Sequence, residues 1–365
     1  MILSRNYSPH LSPRAFRTKE LVNELLRRGY YIAAILPSYA DIDVKKVDIR
    51  FIKSRTISLQ KGDNKTASIK QYLLDSIRTI SKFFFGDTPG DIIYSFSMIF
   101  EVISLLKKSD YNVILSIGCP FYIHVAAVLG RFISGKRVRI VAECSDPFYE
   151  DKCFSKAFYL KYLEGSILRA CKYITIPMEA ARESYADYGI DDRIRIIPQG
   201  FAITQIADDT YRKNPVPMFC FAGRLYEKIR NPRYFLDYLL QLKQDFVFVV
   251  YALPDAFTLQ LLDEYKKKLG DRLEIREPLP REELVHVMAT MEFVVNFDNE
   301  NSNQKPSKLI DYAMSKRPIL SFNSQTFKAE VFEEFLRGDY TNQEQIDLAQ
   351  YDIRTVVDKF EELFT

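Results

Sequence analysis

The strongest constraint on this chain is an alternation that runs through its whole length: short apolar runs, each followed by a stretch with helical periodicity. In the first half the expected strands are Ile2–Ser4, Tyr31–Leu36, Val47–Ile52, Val113–Ile117, Arg139–Ala142 and Tyr173–Ile176. The expected helices are Arg17–Arg28, Ile69–Phe85, Tyr122–Ile133, Lys156–Ala170 and Glu179–Tyr188. The second half repeats the pattern, with strands at Met218–Ala222, Phe246–Tyr251, Leu273–Arg276, Phe293–Asn296 and Pro318–Phe322. Its helices are expected at Pro232–Leu242, Phe257–Leu269, Arg281–Thr290 and Ser307–Met314. Such alternation predicts α/β architecture with mostly parallel, doubly wound sheets.

Between the halves, residues 198–217 hold three prolines and Gly200 without periodicity, the composition of a linker. The expected division is therefore 1–198, a linker at 199–217, 218–345, and a C-terminal helical segment at 346–365. In that segment Ile353–Phe364 places Val356, Val357, Phe360, Leu363 and Phe364 on one side, either to cover a core edge or to pack back on the first domain. Two Rossmann-like domains of this kind are expected to face a central cleft, because ligands bind at the carboxyl ends of such sheets.

Composition narrows the function. Fifty-one basic and 48 acidic residues leave a net charge of +3, too near neutral to imply nucleic acid. The imbalance is regional: residues 1–200 carry +9 and the remainder −6, which suggests an anionic surface against the first half unless these are ordinary solvated faces. Five scattered cysteines without a CxxC pair exclude a disulfide scaffold and a zinc ribbon and favour a reducing compartment. The N-terminus lacks the build of a signal peptide. The most apolar stretches, 92–106 and 112–130, are interrupted by Glu101 and by Gly118, Pro120 and His124, and read as buried strand-and-helix pieces. The expected location is cytoplasmic.

Three histidines (His10, His124, His286) are too few for a His-rich metal site, and His124 is expected in the core. Asp41-Ile42-Asp43 is expected to be a solvated turn, not a metal site. The informative segment is Gln304-Lys305-Pro306-Ser307-Lys308-Leu309-Ile310-Asp311-Tyr312. Pro306 and Ser307 are expected to open a helix whose free N–H groups attract phosphate. Lys308 in the first turn opposes the helix dipole and calls for an anion. Asp311, one turn on, suits ribose hydroxyls. A second constellation runs from an apolar strand into Gly223-Arg224-Leu225-Tyr226-Glu227-Lys228, where glycine permits close approach and Arg224 and Lys228 suit a pyrophosphate.

With both segments in hand, the chain resembles the retaining glycosyltransferases of family 4, of the GT-B fold, in particular those that build bacterial surface polysaccharides. The resemblance extends over nearly the whole chain. Asn6-Tyr7-Ser8-Pro9-His10 and the helix after it resemble the family's first loop and helix. Ala142-Glu143-Cys144-Ser145-Asp146-Pro147-Phe148 is similar to its Asp-Pro-Trp segment, and Ile196-Ile197-Pro198-Gln199-Gly200 to its Ile-Pro-Asn-Gly. Phe221-Ala222-Gly223-Arg224-Leu225 looks like the donor-phosphate loop, and Pro306-Ser307-Lys308-Leu309-Ile310-Asp311-Tyr312 like the sugar-nucleotide motif. Ser12-Pro13 replaces the usual Gly-Gly, Asn303 and Asp311 stand where the family has two glutamates, and Val250-Tyr251-Ala252 replaces a Gly-rich strand end.

The resemblance implies transfer of a hexosyl or N-acetylhexosaminyl group, with retention, from a nucleotide-diphosphate sugar (UDP- or GDP-linked) to a hydroxyl of a lipid-linked or growing saccharide. Arg224, Lys228, Asp146 and His10 are the expected catalytic set, although His10 also reads as an ordinary loop residue and Asp146 as a cap before Pro147. Donor binding is expected from Gly223, Tyr251, Asn303, Pro306, Ser307, Lys308, Leu309 and Asp311. The basic cluster replaces a metal, so none is expected. A non-hydrolysing nucleotide-sugar epimerase and a non-catalytic sugar-binding protein share the two-domain plan and remain the alternatives. Finally, Ile69–Phe85 mixes apolar residues with Lys70, Arg78 and Lys82 and reads either as a core stripe or as a peripheral contact with an anionic membrane, on the inner face of the cell membrane.

Overall fold

The computed structural model describes residues 1–8, 13–40, 47–52, 65–150, 155–227, 230–298 and 308–365. The chain divides into two compact domains: Met1–Ala202 with Gln350–Thr365, and Ile203–Ala349. Each is built on a parallel sheet flanked by helices, the Rossmann-like plan of the GT-B fold.

The first domain runs β1 (Ile2–Leu3), α1 (Pro13–Arg27), β2 (Ile32–Pro37), β3 (Val47–Ile52), α2 (Lys65–Phe85), α3 (Pro89–Lys108), β4 (Val113–Ile117), α4 (Tyr122–Ser134), β5 (Arg139–Glu143), α5 (Tyr159–Arg169), β6 (Tyr173–Ile176), a 3₁₀ segment (Glu179–Tyr188) and β7 (Ile194–Ile196). The sheet order is β3-β2-β1-β4-β5-β6-β7, so the winding reverses between β1 and β4. The second domain runs β8 (Met218–Gly223), α6 (Arg233–Gln241), β9 (Val247–Ala252), α7 (Ala256–Leu269), β10 (Leu273–Arg276), α8 (Arg281–Met288), β11 (Phe293–Phe297), α9 (Lys308–Met314), β12 (Ile319–Phe322) and α10 (Ala329–Arg337). Its order, β10-β9-β8-β11-β12, reverses between β8 and β11. In open α/β sheets the crevice at such a reversal is where ligands bind.

Several parts of the chain depart from the sequence expectation. Residues 92–106 are not strand and helix pieces but belong to the single helix α3, started by Pro89 and by Thr88, whose side chain accepts from the Asp91 N–H. By length and composition α3 is apolar enough to cross a membrane, yet Tyr94, Met98, Val102, Leu105 and Leu106 are buried in the domain core. The segment Glu179–Tyr188 is 3₁₀ and not α-helical. Neither β7, which is only three residues long, nor α10, which buries Phe332, Phe335 and Leu336 on one face, is among the expected elements. Residues 203–217 belong to the second domain instead of forming a free linker. There Asn214 donates from its backbone and side-chain nitrogens to Glu292, and the Met218 N–H donates to the same carboxylate at 2.6 Å.

Two cores fill the faces of the first sheet. On one, α3, α4 and α5 pack through Met98, Val102, Ile123, Ala127 and Leu168. On the other, α1 meets α11 (Ile353–Glu361), joining Leu21, Val22 and Leu25 to Val356, Val357 and Phe360. Arg28 reinforces this contact with Asp358 at 2.6 Å and Glu361 at 2.7 Å. Gly200 has a steric reason to be glycine: a Cβ there would lie 2.6 Å from Ile353 Cδ1 and 3.2 Å from its Cα. The chain pairs at once with the returning segment, Phe201 N–H to Tyr351 O at 2.8 Å and Ile353 N–H to Phe201 O at 2.9 Å.

The core of the second domain is aromatic. Phe219 in β8 stacks on Phe248 of β9 and Phe293 of β11, each 4.9 Å between ring centroids, and meets Phe332 of α10 edge-on at 5.3 Å. Phe219→Ala is expected to destabilise the protein by about 3–5 kcal/mol, because those neighbours cannot close over the cavity. Urea unfolding monitored by circular dichroism checks this.

Candidate active site

At the β8/β11 reversal of the second domain, the strand end and α9 are tied together by Tyr312. Its buried hydroxyl donates to Ala222 O at 2.6 Å and accepts the Ala222 N–H at 3.2 Å. This fixes Lys308, one turn earlier, so that its Nζ donates to the same carbonyl at 3.1 Å. Among the described residues no carboxylate lies within ion-pair distance of that amine. Burial, followed by the nearby Arg230 guanidinium, pushes its pKa down from 10.5 to about 8. A cation held this way is short of counter-charge, the condition under which an anionic ligand is attracted.

Gly223 is the second requirement. A Cβ at this position would lie 2.7 Å from Lys308 Nζ and 2.9 Å from the Phe221 ring, so the space a side chain would take is filled by the amine. Arg224 follows on the surface, its Nε 3.7 Å from Asp255 and its guanidinium over the Tyr226 ring at 5.7 Å. Asp255 is held below the usual carboxylate range first by the Thr258 N–H that it caps at the start of α7, and also by Arg224. Tyr226 and Arg230 close the loop by exchanging backbone hydrogen bonds, both 3.2 Å. Arg230 is therefore a cation of this site that the sequence reading stopped short of, two positions beyond Lys228.

Asp311 is not a free acceptor. Its Oδ1 takes the Arg281 Nε at 2.7 Å, while burial raises its pKa against the pull of that arginine and of Lys308. Arg281, at the start of α8, had no signal in the sequence beyond its charge. The Tyr251 hydroxyl receives Arg276 Nη1 at 3.0 Å, a pairing that follows from the β9–β10 register. The Leu309 side chain is buried and packs α9 against the domain, which leaves its backbone N–H in the first turn of that helix as the group to offer a ligand. Lys228, Asn303, Pro306, Ser307 and His10 lie outside the described residues, as does Asp41-Ile42-Asp43.

The first domain has its own polar group at the carboxyl ends of its strands. Arg14 pairs with the half-exposed Asp146. Beneath them Arg17 and Glu143 form a buried pair at 2.6 Å, and Ser145 Oγ, which donates to Glu143 at 2.9 Å, receives Arg17 Nη1 at 2.7 Å. Glu143 Oε2 is buried with no hydrogen-bond partner among the described residues. At the β1/β4 reversal Asn6 Nδ2 donates to Cys119 O at 3.0 Å. His124 is a core residue: it is buried, its Nδ1 is 2.7 Å from Ser116 Oγ, and burial lowers its pKa to about 4.

Residues 16–205, just over half of the chain, match the family model described as Glycosyltransferase Family 4. The chain belongs to glycosyltransferase family 4. No curated protein matches this family 4 member. Among solved structures, HepE from Anabaena in complex with UDP-glucose is similar at 11% identity, with a TM-score of 0.57, over 99% of this chain and 98% of that one. The lipopolysaccharide outer core galactosyltransferase WaaB in its apo form is similar at 12% identity and a TM-score of 0.54, over 98% and 94%. The UDP-GlcNAc 2-epimerase from Methanocaldococcus jannaschii is similar at 12% identity and 0.53, over 99% and 100%. At these identities the likeness is one of fold, and family membership rests on the family model.

The depressed Lys308 pKa has a stability consequence in this glycosyltransferase. Between pH 8 and 10.5 the amine is largely neutral when folded and still charged when unfolded, so the folding penalty of burying the cation is complete below pH 8 and fades as pH rises toward 10.5. A fall from 10.5 to about 8 corresponds to about 3 kcal/mol. Lys308→Met is expected to melt at or above the parent temperature at pH 7, the gap narrowing above pH 8. Calorimetry across that range checks it.

Proposed function

We propose that the protein transfers a sugar from a nucleotide-diphosphate donor to a hydroxyl of a lipid-linked or growing saccharide, with retention of anomeric configuration, in the assembly of a cell-surface polysaccharide. The observation that carries this reading is the Lys308 amine at the end of β8, buried beside Arg230 and lacking a carboxylate partner among the described residues. The acceptor oxygen forms a bond to the anomeric carbon, the carbon–phosphate-oxygen bond breaks, and the acceptor proton leaves with the diphosphate. Lys308, Arg224 and Arg230, with Lys228, meet the negative charge as it builds on the leaving group, and cations fixed in advance stabilise that change without reorganising. The cluster takes the part a divalent metal would play. Asp146 with Arg14 suits a saccharide hydroxyl in the first domain, and a lipid-linked acceptor brings that domain to the inner face of the membrane.

UDP-glucose bound to the HepE relative makes a UDP-sugar the first donor to try. Purified protein is incubated with radiolabelled UDP-sugars, with and without membrane lipid extract. Label appearing in the extract supports transfer; isomer formation without extract supports an epimerase instead. Transfer is expected to persist in EDTA, and its loss with recovery in Mg²⁺ or Mn²⁺ would overturn the metal-free reading. Arg224→Ala is expected to lower turnover by roughly 10²–10³ at unchanged melting temperature.

The amine also sets a pH dependence. A bound diphosphate favours charged Lys308, so affinity for UDP is highest below pH 8 and weakens up to about tenfold per unit above it. Titration calorimetry from pH 6.5 to 9.5 reads the slope, and Lys308→Met is expected to flatten it.

A further inference from the structure

The outward faces of the helices on one side of the first domain are apolar where a water-facing layer is ordinarily polar. On α3, Ile93, Phe96 and Phe100 form an exposed stripe, with Phe100 75% exposed. On α4, Phe132 is 79% exposed and Ile133 stands beside it. Phe158, just before α5, and Tyr162, one turn into it, are 74% and 69% exposed. The end of α2 adds Ile77, Ile80, Phe83, Phe84 and Phe85. These belong to neighbouring elements. The Ala157 N–H donates to Phe83 O at 2.9 Å, the Tyr159 hydroxyl donates to Phe84 O, and α3 packs so closely on α4 that Gly130 lies against Val102. The inner faces of α3, α4 and α5 share one core, whereas α1 and α11 lie on the opposite face of the sheet.

Charge complements the apolar faces. The stretches that carry these side chains, 75–85, 92–108, 129–137 and 155–162, hold nine Lys and Arg against two Asp and Glu. Among these cations Arg78, Lys136 and Lys161 pair with Asp75, Asp110 and Asp187. A protein partner or a second copy would call for shape and opposite charges at defined places. Bulky aromatic and branched side chains interspersed with lysine and arginine instead match an anionic lipid surface, where rings enter the boundary of the acyl layer and cations meet headgroups.

We infer that the outer face of α2, α3, α4 and α5 is a membrane-docking surface that inserts Phe100, Phe132 and Phe158 into an anionic lipid leaflet. The sequence expectation placed any membrane contact in 69–85 and made it electrostatic; here four helices share it and insertion supplies part of the binding. The inference deepens and rests on the proposed lipid-linked acceptor, but it is tested without donor or acceptor, so failed vesicle binding and failed transfer are separate results.

The chain contains no tryptophan, so a single introduced one reports without background. Phe100→Trp, Phe158→Trp and, as an exposed control outside the four helices, Tyr31→Trp are mixed with phosphatidylcholine vesicles or with vesicles containing roughly one-third phosphatidylglycerol. Emission from Phe100→Trp and Phe158→Trp is expected to shift to the blue with the anionic vesicles and to be quenched by brominated acyl chains, with Tyr31→Trp unchanged. In flotation, binding to anionic vesicles is expected to exceed binding to neutral ones by about tenfold or more and to weaken, without vanishing, from about 0.1 M to about 1 M salt. The triple variant Phe100→Ser, Phe132→Ser, Phe158→Ser is expected to lose about tenfold or more of that binding at an unchanged melting temperature. No spectral shift, an equal shift at Tyr31→Trp, or parent-like flotation of the triple variant would overturn the inference. So would a dimer in sedimentation that the triple variant dissolves while the parent ignores vesicles.

Discussion

The carbonyl of Ala222 is a shared anchor. It receives the hydroxyl of Tyr312 and the amine of Lys308, and through them it holds α9 against the end of β8 at the point where the second sheet changes winding direction. One oxygen with two lone pairs meets two donors, so neither β8 nor α9 can slide without leaving a buried donor unpaired, which is costly. The arrangement explains why residue 223 lacks a side chain and why a cation is kept in a place that penalises it. Burying an ion with little counter-charge is a poor way to stabilise a fold and a good way to prepare a site, because the missing partner is supplied by whatever binds.

The first domain solves a different problem at its strand ends. Arg17 and Glu143 are nearly inaccessible and meet through Glu143 Oε1, with Ser145 between them. Above this rigid layer Arg14 and Asp146 are more exposed and can exchange one another for a ligand. The contrast separates scaffold from working surface: the pair beneath fixes where β5 ends relative to α1, and the pair above remains adjustable.

Strands of the parallel sheets were legible because buried strands such as Ile114–Ile117 and Phe248–Tyr251 are continuous apolar runs that few helices imitate. Helix α3 was misjudged because both its faces are apolar, one for the core and one for the surface, so its periodicity is blurred and Glu101 looked like an interruption. The 3₁₀ segment at 179–188 has the composition of an α-helix, and only its packing distinguishes it. In the site, Gly223, Arg224 and Lys308 could be named because a strand end and a motif fix their place. Arg230 and Arg281 could not, since each reaches the site through a turn or a neighbouring helix that brings together positions distant in sequence. Leu309 adjoins Lys308 in the motif, but along a helix their side chains point more than a quarter turn apart, and that of Leu309 is buried.

The first domain is discontinuous, and its second core closes only when the returning segment arrives. Ile2, Leu21, Val22, Leu25 and Ile197 present one apolar face, and Ile353, Val356, Val357 and Phe360 cover it. During synthesis the entire second domain emerges between the two, so that face waits uncovered on the ribosome while β8 to β12 are made. The folding order is therefore inverted relative to the chain order: the inserted domain, which contains all its own strands, has everything it needs to fold before the domain that encloses it is complete. A premature stop anywhere in the second domain would leave not a shortened enzyme but a first sheet with one side covered by α1 alone, a ready substrate for chaperones and proteases.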